Sequence, residues 1–297
     1  MKINEYVSGR DFDVRSSIER FRADPMEFYK RLGFFLLAVV LGVLFVFPFY
    51  WLLKVALTWP AGSLYAGTPS LGIENPSVFN FIRVWYSIPF VTYLTTSLIV
   101  TAMAVASQLL FCSLAAYGLS MDFYGKKYVW AYMVAAMMIP FQTIFLPDYL
   151  VTQELGLVNT YTGLAIVVAV SVVNILVLHD SFSSIPDALT EAARLDGASE
   201  LYILFGVYWP LSKPAIATTV ILAFIFSWNS YLWPLVMVKD TAHTPLPLGL
   251  AEFQSQISGN FALQYAFAIM VLMPALVIFL LLQRQFIRSA VLGSIKS

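Results

Sequence analysis

Long apolar runs separated by short polar stretches dominate this sequence, and six of the runs are long enough to cross a lipid bilayer as helices. None of the six, as drawn from the hydropathy pattern, contains Asp, Glu, Lys, Arg or His. A charge inside the bilayer usually marks an ion path or a proton relay, so this pattern disfavours a proton- or sodium-driven transporter. The pattern predicts an all-α integral membrane protein with six transmembrane helices, over residues 32–53, 90–118, 128–146, 161–178, 215–236 and 264–282.

Composition agrees with this membrane assignment and narrows the range of partners. Of the 297 residues, 60% are hydrophobic and 11% are charged, and the mean hydropathy is +0.78. A soluble domain needs far more polar surface than this. The formal net charge is zero, which gives no electrostatic reason to expect nucleic acid as a partner. The single cysteine, Cys112, excludes a disulfide framework.

The distribution of basic residues predicts the orientation in the membrane. With the N-terminus inside, 14 of the 17 Lys and Arg residues fall in inner segments, and Lys54, Arg83 and Lys239 fall in outer loops. Cytoplasmic loops of membrane proteins carry such an excess of Lys and Arg. We therefore expect both termini in the cytoplasm. The domain boundaries that follow are a tail of residues 1–31, a membrane domain of residues 32–283 and a second tail of residues 284–297.

The longest polar interruption in the second half of the chain is the cytoplasmic loop of residues 184–214, between the fourth and fifth apolar runs. Ser184 and Asp187 have the spacing of a capping box, which predicts a helix that begins at Ile185. Residues with helical spacing would form its apolar side, which another protein could approach closely because two of them are alanines. These residues are Ile185, Leu189, Ala192 and Ala193.

A tight corner and a second helix follow in the same loop. The pair Asp196-Gly197 predicts the corner, because glycine tolerates the left-handed backbone that closes a helix. A second helix is predicted over residues 199–208, and Pro210 and Pro214 end the unit. The loop is therefore predicted to be a rigid two-helix plug that suits a socket on another protein.

The spacing within this loop resembles the cytoplasmic signature loop of ATP-binding-cassette (ABC) importer permeases. The matching residues are Glu191, Ala192, Ala193, Gly197, Val207 and Pro210. Trp209 stands where that family usually has leucine. In the family the loop inserts into a cleft on the ATPase subunit. The resemblance therefore implies a set of ATPase-coupling residues, which are Glu191, Ala192, Ala193, Asp196, Gly197 and Pro210.

Polar side chains inside the apolar runs are few, and several lie near the end of the fifth run. Trp and Tyr rings beside an amide and hydroxyls suit a sugar, whose C–H faces stack on rings while its hydroxyls need hydrogen bonds. An interfacial belt of aromatic residues explains the rings equally well. Polar residues of the second and fourth runs are either contacts between helices or substrate contacts. The candidate translocation path comprises Ser227, Trp228, Asn229, Tyr231, Gln108 and Asn174.

The segment SWNSYLWPL, residues 227–235, resembles the carbohydrate-uptake class of these permeases, specifically the six-span subunit of maltose-type importers. Residues 159–164, residues 244–250 and the C-terminal tail resemble the same subunit, whereas His179 and Asp180 replace a frequent Arg-Gln pair. The resemblance implies a type I ABC importer permease-like bundle in the plasma (inner) membrane of a prokaryotic cell. It also implies a second permease subunit, two ATP-binding subunits and an extracytoplasmic solute-binding protein as partners.

The loop after the fifth run, residues 239–263, is the segment that the resemblance implies for docking of the solute-binding protein. Its prolines and polar residues are compatible with a semi-rigid protruding loop, and a plain connector would have the same composition. The candidate contact residues are Pro245, Pro247, Gly249 and Phe253.

No enzymatic motif accompanies these features. The two histidines, His179 and His243, and Cys112 lack metal-ligand spacing, and the sequence has no Walker-type GxxxxGK[ST] loop. We therefore expect a transport subunit with no metal site and no cofactor, whose partner ATPase binds ATP and Mg²⁺. The predicted cargo is a sugar or a sugar-like solute. The alternatives are glycerol phosphate or a polyol as cargo, or a stand-alone facilitator or channel without an ATPase.

Overall fold

The computed structural model of the chain describes residues 25–60, 71–73, 75–256 and 259–295, with the backbone alone for residues 25, 27, 28 and 282–295. The predicted N-terminal tail therefore lies mostly outside the described residues. The predicted C-terminal tail is described as helical backbone as far as Ile295. The chain divides into two compact units, Met1–Lys54 and Val55–Ser297.

The described residues form helices and their connections, and we number the helices in chain order. They are α1 (Pro25–Leu57), α2 (Phe79–Ser87), α3 (Phe90–Ser120), α4 (Lys126–Met137), α5 (Phe141–Glu154), α6 (Tyr161–Ile166), α7 (Val172–Ser183), α8 (Asp187–Leu195), α9 (Glu200–Leu211), α10 (Lys213–Trp228), α11 (Leu232–Met237), α12 (Leu246–Gln256) and α13 (Phe261–Ile295). A short 3-10 turn, Thr241–His243, precedes α12.

The first unit consists, in its described part, of helix α1 as far as Lys54. Its side chains are exposed from residue 31 to residue 50, and its membrane-like stretch has a mean hydropathy of 2.7. A helix that is apolar on all sides is stable in lipid or against other apolar surfaces, but not in water. The length and composition of α1 therefore agree with the first predicted crossing.

Helix α3 is the centre of the second unit. Helices α7 and α10 pack along α3, and α13 packs on α10. Three buried apolar clusters follow one another along α3, which contributes Tyr93 to the first, Val100 to the second and Cys112 to the third. At about 1.5 Å per residue, α3 is longer than the hydrocarbon core of a bilayer, which is about 30 Å thick. Contacts at its two ends therefore report on opposite sides of the membrane.

Three of the predicted crossings are not continuous helices. The third run divides into α4 and α5, which meet at 99° beside Pro140. Proline disfavours a helical residue before it and cannot donate the next helical hydrogen bond, so α4 ends there. The fourth run is interrupted by an extended Ser171 between α6 and α7, and the fifth is interrupted at residues 229–231.

The number of continuous crossings is therefore smaller than the sequence pattern suggested. Among the described residues, α1, α3 and α13 are each long and apolar enough to cross a membrane alone. The count rises to five if the bent pairs α4–α5 and α9–α10 each form one crossing. The prediction of an all-helical membrane protein is confirmed. The count of six crossings remains a prediction, because three of the six runs are divided into shorter helices, at Pro140 and at the polar residues of the later runs.

The break in the third run also changes its charge content. Helix α5 continues to Glu154, well beyond the predicted end of the run at Leu146, and it includes the half-buried Asp148. The prediction that the runs as drawn lack charged residues is unchanged, but helices α5 and α7 extend past those runs and include Asp148, Glu154, His179 and Asp180.

Candidate functional site

The two-helix unit of residues 184–214, hereafter the loop unit, contains the predicted corner. Gly197 has a φ of +82° between α8 and α9. The N–H of Gly197 donates to the carbonyl of Arg194 and the N–H of Ala198 donates to the carbonyl of Ala193, both at 3.0 Å. These two bonds form a Schellman motif, in which glycine takes the left-handed position that closes the helix.

The first helix of the loop unit begins later than predicted. Ser184 still belongs to the end of α7, and its hydroxyl donates to the carbonyl of Ser181 at 2.7 Å. Pro186 is extended and precedes α8 without a side-chain cap, so the predicted capping box does not form. Asp187 in the first turn and Arg194 in the last turn instead suit the helix dipole.

The second helix of the loop unit begins as predicted and ends later. The hydroxyl of Ser199 accepts a hydrogen bond from the N–H of Tyr202, which caps the start of α9. The helix then widens into π-helical turns over Ile203–Tyr208 and passes through Pro210 instead of stopping before it. Pro210 has no N–H and would clash with the carbonyl four residues earlier, and the wider turns accommodate it. A bend of 92° then leads into α10.

The tip of the loop unit presents small, apolar and acidic side chains to solvent. Glu191, Ala192 and Asp196 are exposed, and Leu195 is 89% exposed. The predicted apolar side of α8 is divided. Ile185 and Ala193 pack inward on the cluster around Phe182, whereas Leu189 and Ala192 face out, because the turn of α8 places the buried Thr190 on the inner side.

An ion pair that the sequence reasoning missed joins both helices of the loop unit to α3. The guanidinium of Arg194 donates from Nε to Oε1 of Glu200 at 2.8 Å and from Nη2 to Oε2 at 3.2 Å. The hydroxyl of Tyr117 donates to the same Oε2. The hydrogen bonds from Arg194 first, and from Tyr117 second, lower the pKa of the Glu200 carboxyl. The one feature of the sequence that could indicate this ion pair is the opposite charges of Arg194 and Glu200 on either side of the predicted corner.

Two further hydrogen bonds fix the second helix of the loop unit. The indole Nε1 of Trp209 donates to Oγ of Ser113 on α3 at 3.1 Å. The hydroxyls of Thr190 and Tyr208 lie 2.9 Å apart and join α8 to α9. Trp209, which departs from the family pattern, therefore has a polar partner on α3.

His179, the other departure from the family pattern, lies on α7 near the same end of α3. Its Nε2 lies 3.2 Å from the carbonyl of Leu119, and its ring meets that of Trp130 edge-on at 4.8 Å. His179 thus ties α7 to α3 and α4.

The candidate path residues of the fifth run divide into a buried and an exposed group. Trp228 is 2% exposed, stacks on Phe224 and donates from Nε1 to the carbonyl of Val271 at 3.1 Å. Ser227 is buried and lies 3.4 Å from Oγ1 of Thr101 on α3. Asn229 and Tyr231, at the helix break, are exposed. Of this group, only the residues at the break face away from the chain's own core.

The candidate path residues Gln108 and Asn174 contact each other inside the core. The amide of Asn174 donates to Oε1 of Gln108, and Nε2 of Gln108 donates to the carbonyl of Val168 at 2.7 Å. Both side chains are buried. The Gln108 amide thus satisfies a backbone carbonyl that the break between α6 and α7 leaves free, and Asn174 joins α7 to α3 through Gln108.

The candidate contact residues after the fifth run lie mostly inside the chain. Pro245, Gly249 and Phe253 are buried, and Pro247 is half-buried. A Cβ added to Gly249 would lie 2.4 Å from the ring of Tyr93. Of the two readings left open by the sequence, a protruding loop does not form at these positions, because the segment forms α12 and its apolar residues pack on α3 and α13. Contact with a solute-binding protein stays a prediction.

Hydrogen bonds hold the segment before α12, residues 240–245, and the first residue of α12 against the N-terminal part of α3. Oγ1 of Thr96 donates to the carbonyl of Ala242 at 3.0 Å, and the N–H of Leu246 donates to Oγ of Ser97 at 2.7 Å. Nδ2 of Asn159 donates to Oδ2 of Asp240 at 2.7 Å. This bond first, and bonds from His243 second, lower the pKa of the Asp240 carboxyl.

Comparisons with known proteins agree with this architecture. Residues 26–290 match the family described as "binding-protein-dependent transport system inner membrane component". The arabinooligosaccharide transport permease AraQ of Bacillus subtilis is 30% identical over 281 residues, covering 93% of this chain and 99% of that protein. The melibiose/raffinose/stachyose import permease MelC of B. subtilis is 32% identical, covering 88% and 95%. A bacterial ABC transporter structure involved in import of the polysaccharide alginate matches with a TM-score of 0.75 and 25% identity, covering 87% and 98%.

The chain is therefore an integral, multi-pass permease of the inner membrane. It belongs to the family of inner membrane components of binding-protein-dependent transport systems. As a permease subunit it is a transport component and not an enzyme. Membership of this family sets aside the alternative of a stand-alone facilitator or channel.

Proposed function

We propose that this chain forms one half of the pathway through which an ATP-driven importer moves a sugar or oligosaccharide delivered by a solute-binding protein. The main support for this proposal is a separation along α3. The exposed tip around Glu191 and Leu195 lies at the opposite end of α3 from the segment before α12. Ser97 and Tyr117, which anchor these two regions, lie about 30 Å apart along α3 at 1.5 Å per residue. The carbohydrate permeases named above support the class of cargo.

We propose the partners from the same features. The exposed Glu191, Ala192 and Leu195 suit a cleft on an ATP-binding subunit, which would hold the ATP and Mg²⁺. Asp196 and Gly197 set the direction of the tip, and Pro210 lies in the last turn of α9, just before the bend into α10. The apolar sides of α1 suit lipid and a second permease subunit.

We propose six crossings, three of them discontinuous, with both termini in the cytoplasm. The crossings are α1, α3, the α4–α5 pair, the α6–α7 pair, the α10–α11 pair and α13. Discontinuous helices are frequent in transporters at the depth where cargo binds. The exposed Asn229 and Tyr231, at the break between α10 and α11, are therefore the residues of this chain that we assign to the cargo path.

Accessibility of single cysteines tests the orientation. Cys112 is buried, so Cys112→Ser provides a background for Leu195→Cys and, on the exposed side of α12, Glu252→Cys. In whole cells we expect a membrane-impermeant maleimide to label position 252 at once and position 195 only after permeabilisation. Labelling of position 195 in intact cells would overturn the proposed orientation and with it the coupling to a cytoplasmic ATPase.

Uptake by the complex purified with its native partners tests the cargo. In proteoliposomes supplied with the solute-binding protein, we expect ATP-dependent accumulation of at least one labelled oligosaccharide. The panel includes glycerol phosphate and a polyol, and uptake of either one alone would replace the sugar assignment. Equal uptake with and without ATP would reject the ATP-driven mechanism.

A further inference from the structure

Two polar tethers connect the loop unit to one face of α3. The first is the hydrogen bond from the Tyr117 hydroxyl to the Glu200 carboxylate. The second is the hydrogen bond from the Trp209 indole to the Ser113 hydroxyl. Ser113 and Tyr117 lie four residues apart, and residues with this separation share one helical face.

The first tether is stronger than a surface ion pair. Arg194 and Glu200 have side chains 44% and 55% exposed, and such a pair alone contributes little. Tyr117, however, is buried, and its ring meets that of Tyr208 edge-on at 5.0 Å. A hydrogen bond from a buried hydroxyl to a carboxylate is about twice as strong as one between neutral groups.

The second tether acts at the other end of α9. Ser113 is fully buried, and the Trp209 ring also meets Phe205 edge-on at 5.0 Å. Because the tethers lie at the first and the tenth residue of α9, they fix both its position and its direction on α3. Within the unit, the Thr190–Tyr208 bond and the Arg194–Glu200 pair join α8 to this fixed helix.

We propose that Glu200, Tyr117, Ser113 and Trp209 are positioning residues that make the loop unit and α3 move as one body. This inference rests on the proposed function and names α3 as the element that carries motion of the tip across the membrane. At its outer end α3 holds the segment before α12 through Thr96 and Ser97. Movement of the tip by an ATPase would therefore reach that segment through a single helix.

A distance measurement on the permease tests the tethers without relying on ATPase activity. In the Cys112→Ser background, spin labels replace the exposed Thr95 and Leu195, one near each end of this body. We expect a narrow distance distribution in the parent chain and a clearly broader one with Tyr117→Phe and Ser113→Ala combined. Tyr124→Phe is the matched control, because Tyr124 is fully exposed and the change removes the same oxygen atom. Equal widths in all three proteins would overturn the proposal.

Coupling in the assembled transporter gives the functional readout. We expect Tyr117→Phe and Glu200→Gln to keep the ATPase bound and active, while solute moved per ATP falls by about tenfold, as expected when a hydrogen bond to a charged group is lost. An unchanged ratio in both variants would overturn the role in transmission. If no ATPase purifies with the parent chain, the proposed function fails, and the distance measurement still decides whether the tethers hold.

Discussion

The loop unit and the segment of residues 239–256 lie at opposite ends of α3. They differ in whether their candidate contact residues are exposed or buried. At the C-terminal end of α3, Glu191, Ala192 and Leu195 are exposed, and polar bonds behind them fix their direction. At the N-terminal end of α3, Gly249 and Phe253 are buried against α3 and α13. A prominent motif therefore lies exposed at one end and packed against other helices at the other.

The difference follows from how each segment satisfies its apolar side chains. The apolar residues of helix α8 are mostly alanines, and Thr190 is the buried residue of this helix, so most of its side chains remain exposed. Helix α12 carries several apolar residues per turn and sits over the cluster around Phe267, which removes them from water. The exposed residues of α12 include Glu252 and Gln254.

The largest expected effect is that of Phe253→Ala on stability. Phe253 is 2% exposed and meets Phe267 edge-on, so we expect the change to cost about 3–5 kcal/mol of unfolding free energy. Thermal denaturation in detergent measures it, with the exposed Glu252→Ala as control. Normal stability combined with lost affinity for the solute-binding protein would restore Phe253 as a contact residue and remove the contrast between the two ends.

A smaller effect is expected for Gly197→Val, which acts through the backbone. A Cβ at Gly197 meets no atom within 4 Å, so the strain comes from its φ of +82° and amounts to about 1–3 kcal/mol. We expect insertion to remain and uptake per ATP to fall. Gly156→Val is the matched control, with a φ of +69° and equally open space in the loop after α5. Similar losses of uptake in both variants would mean that the direction of the tip is unimportant.

The smallest effect is a pH dependence of the two carboxylates. The pKa of Glu200 is lowered from 4.5 and that of Asp240 from 3.8. A carboxyl whose pKa is lower in the folded chain stabilises the fold above its ordinary pKa and loses this effect as the pH falls through the lowered value. As the pH falls below these ordinary values, hydrogen exchange should therefore rise both in the loop unit and around Asp240.

Matched variants sharpen that comparison. We expect Glu200→Gln to abolish the acid-induced change in the loop unit while leaving the change around Asp240 intact. Asp240→Asn should do the reverse. Simultaneous opening of both regions in the parent chain and in both variants would show that global unfolding, and not these two carboxylates, governs the response.

The sequence determined the features that depend on composition and on local backbone chemistry. Apolar runs of sufficient length have to be membrane helices, because hydrocarbon leaves no other way to satisfy their backbone groups. Gly197 had to close a helix, because only a residue without a Cβ takes that conformation freely. The spacing of Glu191, Ala192 and Ala193 from Gly197 was likewise readable without coordinates, and so was the resemblance that it carries.

Only the tertiary structure decided which of the candidate residues are exposed and which are buried in the core. The sequence does not distinguish Phe253 and Trp228 from exposed aromatic residues. Their burial depends on α13, which comes later in the chain. The bond between Tyr117 and Glu200 joins residues 83 positions apart, so no local pattern could predict it. Hydropathy gives the amount of apolar surface to be buried, whereas the packing of distant helices decides which side chains do so.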